Sequence, residues 1–115
     1  MSRGPRYRWW GYAKNNIRAY PDLKRRVDAA KKSGKAISNL PWDDLRDLEA
    51  VERAVAATLY MPDGPLRVDM IEKVYWKKSH TLNGAAMLCH VSYATAKRWH
   101  GEFVRAVARE LKLIR

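Results

Sequence analysis

Twenty residues near the C-terminus constrain the fold of this chain more than any other feature. In the frame from Leu82 to Gly101, Ala85, Cys89, Val91, Ala96 and Trp99 stand at positions 4, 8, 10, 15 and 18, with Ala86 fifth. Two helices joined by a three- or four-residue turn need small or apolar side chains on their facing sides. The second helix crosses over the fifth position, so that residue must be small. Thr81 is placed to cap the first helix, and Ser92 with Thr95 gives an S-x-x-T start to a longer second one. The turn commonly holds Gly, because its backbone often takes positive φ. Here it holds His90, one of the residues enriched in that region. The frame predicts a helix-turn-helix unit over 82–101.

The remainder of the chain also repeats at helical spacing. Nowhere does apolar/polar alternation persist long enough to support a strand. Trp10, Ala13, Ile17 and Tyr20 follow one face, with Arg8, Lys14, Asn15 and Arg18 elsewhere. Pro21 is expected to interrupt that helix and open a second, with Leu23, Val27 and Ala30 inward, ending near Ser33-Gly34. Residues 35–39 read as a connection. Pro41-Trp42-Asp43-Asp44 resembles a helix start with carboxylates in the first turn. Leu45, Leu48, Val55 and Leu59 then form the inward stripe, with Glu49 and Glu52 near Arg53. The run 61–65 is a breaker. A further helix follows with Leu66, Met70, Ile71, Val74 and Tyr75, to about Lys78. In the last helix, running to Leu113, the buried stripe is Trp99, Phe103, Val107 and Leu111. The expected fold is all-α: a helical bundle with a C-terminal helix-turn-helix. Residues 1–40 form a basic, aromatic N-terminal helical segment and residues 41–115 a helical domain.

Charge is segregated along the chain. Residues 1–40 carry eleven basic and two acidic side chains, 41–72 three and eight, and 73–115 nine and two, for a net charge of +11. Such an excess is the electrostatic footprint of a polyanion partner. The acidic segment 43–52 could face RNA polymerase or another basic surface; an ordinary solvated face is the simpler reading. No stretch approaches the ~20 apolar residues of a membrane span, and no basic amphipathic helix has a lipid-entering face. The start has no apolar signal segment, and the lone Cys89 agrees with a reducing, cytoplasmic location.

Placed in the major groove, the second helix would turn Ser92, Tyr93, Ala94, Lys97 and Arg98 toward base edges. Expected phosphate contacts are Lys77, Lys78, Thr81, Thr95 and Arg105, joined from the basic start by Arg8, Lys14 and Arg18. Gly101 would present no side chain where the helix nears the DNA backbone. Trp76, Trp99 and Phe103 at helical spacing read as core rather than as base-stacking platforms. Tyr7, Trp9, Trp10 and Tyr12 are too crowded for one helix face to bury, so about half should be exposed. Cys89 with His80, His90 and His100 lacks the short spacing of a metal site, and no catalytic constellation is present. Neither a metal, a cofactor nor an enzymatic activity is expected.

The runs Val74-Tyr75-Trp76-Lys77-Lys78-Ser79-His80-Thr81-Leu82, Gly84-Ala85-Ala86 and Val91 to His100 resemble the ArpU/RinA-type late transcriptional regulators of phages and prophages in Gram-positive bacteria. The resemblance covers about residues 51–113, and the C-terminal half of such proteins is similar to sigma region 4. It implies sequence-specific binding of promoter duplex and activation of late genes; because a monomer makes few base contacts, a homodimer or help from RNA polymerase is expected. The alternatives are a small terminase subunit, which would form a ring and recognise a packaging site, and an RNA-binding protein using the aromatic start.

Overall fold

The computed structural model describes residues 8–34 and 42–115, and all regular structure among them is helical. Helix α1 (Arg8–Lys32) runs unbroken through Pro21. This corrects the expected interruption, and the reason is a tertiary hydrogen bond. Proline has no N–H to give to the carbonyl four residues earlier. That carbonyl belongs to buried Ile17, and it accepts instead from the Trp76 indole Nε1 at 2.8 Å. The Tyr20 ring packs on Trp76 with centroids 5.1 Å apart, closing the gap beside the proline.

Helix α2 (Trp42–Leu59) starts where its first-turn carboxylates predict. Its inward face, however, is rotated from the expected stripe. Leu48, Ala50, Val51, Ala54 and Thr58 are buried, Leu45 and Val55 are half-buried, and Leu59 is exposed. Packing against both α1 and α5 favours Ala50 and Ala54, whose small side chains let neighbouring helices approach. Thr58 donates its hydroxyl to the Ala54 carbonyl at 2.7 Å, which satisfies it inside. Arg53 pairs with Glu110 of α5 at 2.6 Å rather than with Glu49 or Glu52.

The chain then doubles back tightly into α3 (Gly64–Ile71). A Cβ on buried Gly64 would stand 2.4 Å from the Leu59 carbonyl oxygen and 2.5 Å from that of Thr58. Only glycine fits. Helix α3 continues as a π-helical turn (Glu72–Trp76), where Lys77 N–H reaches the Glu72 carbonyl at 2.7 Å. Such turns are uncommon inside helices. Here it is where Tyr75 engages α5 and Trp76 engages α1.

Helix α4 (Leu82–Leu88) and helix α5 (Tyr93–Glu110) complete the bundle. Leu113 was the expected end of α5, but the helix stops at Glu110. Lys112 takes φ 64°, its N–H reaching the Arg109 carbonyl, while Leu113 N–H reaches that of Ala108. This is a Schellman end built on a lysine instead of a glycine. The main core joins Ala13 and Ile17 of α1, Ala50, Val51 and Ala54 of α2, Ile71 and Tyr75, and Phe103, Val104 and Val107 of α5 with Leu111 just beyond its end. The N-terminal helix thus contributes to the same core as the rest.

Candidate nucleic-acid interface

The α4–α5 pair is set by caps at both starts. Thr81 Oγ1 accepts from Gly84 N–H at 3.0 Å, and Ser92 Oγ accepts from Thr95 N–H at 3.0 Å while donating to Thr95 Oγ1 at 2.9 Å. Between the helices, His90 has φ 59°. Its N–H bonds the Met87 carbonyl and Val91 N–H bonds that of Ala86, a second Schellman end. Ala85, Ala86, Cys89, Ala96 and Trp99 are buried in one cluster with Met70, and Val91 packs half-buried against it. Burial of Ala96 and Trp99 turns the opposite face of α5 outward. Ser92, Tyr93, Ala94, Lys97 and Arg98 are all exposed there.

Two of those cations have neighbours that orient them. The Lys97 ammonium lies 5.4 Å from the Tyr93 ring centroid. Arg98 Nε is 3.8 Å from Glu102, which also takes Arg67 at 3.4 Å, and Arg67 in turn covers the Trp99 ring at 5.1 Å. Gly101 departs from its expected role. It is buried, and the Arg105 guanidinium lies 3.4 Å from where a Cβ would be. The bare helix face expected to approach a DNA backbone is therefore covered by an arginine, which itself remains exposed.

Beside the exposed face of α5 runs a trough formed by two adjoining hollows. Arg8, Trp10, Gly11, Lys14, Leu82, Tyr93, Lys97 and His100 line the first. The second shares Lys14, Leu82 and His100 and adds Arg18, Val74, Tyr75 and Lys78. Among the described residues, five cations and no carboxylate line it. The fold thus brings Arg8, Lys14, Arg18, Lys78, Tyr93 and Lys97 together from three distant stretches of chain. Lys77 points elsewhere, pairing with Glu72 at 3.4 Å, and Arg105 is absent from the lining.

The floor of the trough holds residues that the sequence reading did not select. His100 Nε2 is 2.6 Å from Tyr75 Oη; the two rings stack 5.6 Å apart, and Trp10 meets the imidazole edge-on at 6.0 Å. Burial, then the nearby Lys14 and Arg18 charges, lowers the His100 pKa to about 4, so the ring is neutral at pH 7. Burial likewise raises the Tyr75 phenol to about 12. The signal that could have found this histidine is the i, i+4, i+7 series Tyr93, Lys97, His100, which shares one helix face.

Away from the trough, cations and carboxylates pair within the fold. Lys24 meets Glu52 at 3.5 Å, Arg26 meets Asp44 at 3.3 Å, and Arg46 meets Asp47 at 3.1 Å. With Asp43 also 3.9 Å from Arg46, four carboxylates of segment 43–52 are already engaged within the molecule. Of the aromatic start, Tyr7 lies outside the described residues. Trp9 and Trp10 are half-buried, and exposed Tyr12 accepts a hydrogen bond from Arg46 at 2.9 Å. Cys89 is buried, and burial raises its thiol pKa. Among the described residues no cluster of His, Cys, Asp or Glu is placed to hold a metal ion, and no helix is long and apolar enough to cross a membrane. Compared with known proteins, the chain matches no protein-family model, no curated protein and no solved structure.

Proposed function

We propose that this chain is a sequence-specific duplex-DNA-binding protein, a cytoplasmic late-gene transcriptional activator of a phage or prophage, acting without enzymatic chemistry. The α4–α5 unit works as a helix-turn-helix, with the first turns of α5 in the major groove. One observation carries the reading. Ser92, Tyr93, Ala94, Lys97 and Arg98 are exposed while Ala96 and Trp99 of the same turns anchor the helix below. Arg98 and Lys97 can donate to guanine O6 and N7, and Tyr93 can meet a thymine methyl or a phosphate. The resemblance to ArpU/RinA-type regulators, carried by residues 74–100, supplies the late-promoter role.

Sequencing the DNA fragments that the protein retains from its own genome gives the preferred duplex. On that duplex Arg98→Ala is expected to cost ~1–3 kcal/mol and relax the preference at one base pair, with little change on random duplex. Equal loss on both duplexes removes base readout by Arg98. Retention of no duplex by the parent protein removes the DNA reading altogether. The RNA alternative draws less support, because Trp9 and Trp10 are packed against each other at 5.8 Å and Trp10 is also against His100. A single-strand binder needs such rings open for base stacking.

A further inference from the structure

The trough between α1 and the start of α5 has a shape and a charge that one recognition helix does not need. Its cations do not converge on a point, as they would around a small anion. From Arg8 to Arg18 they extend along α1 for about 15 Å, and Lys78 and Lys97 answer them from the other wall. Phosphates on one DNA strand recur about every 3.4 Å of axis, so this length spans more than one of them. The floor is apolar and aromatic, made of Trp10, Leu82, Tyr75 and Tyr93, with a neutral imidazole among them.

Two of those rings offer no stacking platform. Tyr75 lies face to face with His100, and Trp10 is wedged between Trp9 and the same imidazole. A cationic rim over an apolar floor, whose Tyr75 and Trp10 rings are already packed, suits sugar and phosphate rather than bases. Elsewhere on the molecule Lys24, Arg26, Arg46, Arg53, Arg67, Lys73 and Lys77 each face a carboxylate within 3.9 Å. Among the described residues no carboxylate lines the trough.

We infer that this trough seats one sugar–phosphate strand of the duplex that α5 enters, which makes α1 a second grip on the DNA. The inference rests on the duplex-binding reading and deepens it. The α5 face reads the sequence, and the α1 wall supplies affinity that is independent of sequence.

The test compares salt dependence between charge-matched variants. Binding of a short random-sequence duplex is followed by fluorescence anisotropy from about 50 to 200 mM salt, a range over which counterion release is resolved. Arg18→Gln with Lys78→Gln removes two trough cations. Lys31→Gln with Lys32→Gln removes two exposed cations from the far end of α1, about 20 Å from Arg18 along the helix. The trough variant is expected to lower the slope of log K against log salt by about 2, and the control to leave it unchanged. Arg18 also covers the Tyr75 ring at 5.7 Å. Arg8→Gln with Lys78→Gln, which leaves that contact in place, is therefore expected to give the same loss. An unchanged slope in both trough variants, or an equal fall in the control, overturns the strand seat while leaving duplex binding by α5 intact. A parent protein that holds poly-glutamate as tightly as duplex at the same salt also overturns it, in favour of an acidic peptide. Failure of the parent to bind any duplex instead defeats the reading beneath it.

Discussion

Trp76→Phe is expected to destabilise the protein chiefly through an atom it does not share a helix with. The indole Nε1 donates to the Ile17 carbonyl, which Pro21 leaves without its helical partner. Phenylalanine keeps much of the ring that packs on Tyr20 but removes the donor. Ile17 is fully buried, so its carbonyl would be left unsatisfied at a cost of about 1–3 kcal/mol. The lost ring area adds a packing cost, and a double-mutant cycle separates the two. Pro21→Ala restores a backbone N–H four residues beyond Ile17 and relieves up to about 3 kcal/mol of proline cost in a helix interior. In that background the carbonyl has a new donor, and Trp76→Phe should retain only its packing cost. The expected coupling is about 1–2 kcal/mol, read from urea unfolding of the four proteins with m-values shown to agree. If Trp76→Phe costs the same in both backgrounds, within about 0.5 kcal/mol, the idea that the indole replaces the missing helix bond is wrong.

Other substitutions probe the remaining load on the fold. Gly64→Ala forces a Cβ into two backbone oxygens and should cost about 1–3 kcal/mol or more in chemical unfolding; a neutral result means the α2–α3 turn can open. His90→Gly releases the positive-φ strain at the end of α4, so the melting temperature should rise for a gain of about 0.5–1 kcal/mol, and a fall would refute that strain. Ser92→Ala removes the α5 cap and should cost about 1 kcal/mol. His100 titrates in the unfolded chain near 6.5 but in the fold only near 4. Protons therefore bind the unfolded state first as pH drops, and stability should fall from pH 6.5 toward pH 4, then level off. By about pH 4.5 the parent should have lost about 2–3 kcal/mol more than His100→Gln, compared by urea midpoints at each pH; equal losses mean the histidine is not held neutral.

The parts legible in the sequence are those whose physics is local. Thr81 and Ser92 cap helices because their own side chains reach N–H groups three residues ahead. His90 takes the left-handed turn because a Schellman end requires it there. Ala85, Ala86, Ala96 and Trp99 face inward at the spacing the frame demands. The parts that were not legible depend on a distant partner. Pro21 looks like a helix breaker until Trp76, more than fifty residues away, replaces the hydrogen bond. The α2 face departs from the stripe of large apolar residues because a helix pressed between two others buries Ala50 and Ala54. The π turn carries no periodic signal of its own, since Ile71, Val74 and Tyr75 also suit an ordinary α-helix.

Charge shows the same limit and decides where an interface can be. By linear count the first forty residues form one basic block. In the fold that block divides along α1. Its later turns lie against the acidic helix, Lys24 on Glu52 and Arg26 on Asp44, while Arg25 is held by Asp22 of its own helix. These pairs are largely exposed and contribute little to stability. They do offset the charges of Lys24, Arg25 and Arg26, because opposite charges at such distances cancel well within a Debye length. The first turns lie on the other side, along the trough. Arg8, Lys14 and Arg18 face α5 and the loop bearing Lys78 across a floor without acidic groups. An acidic middle segment therefore need not greet a partner of its own to matter for binding. By offsetting Lys24 and Arg26 it leaves the trough cations as a cluster beside Tyr93 and Lys97, at the side of α5 from which an approaching polyanion would be drawn in.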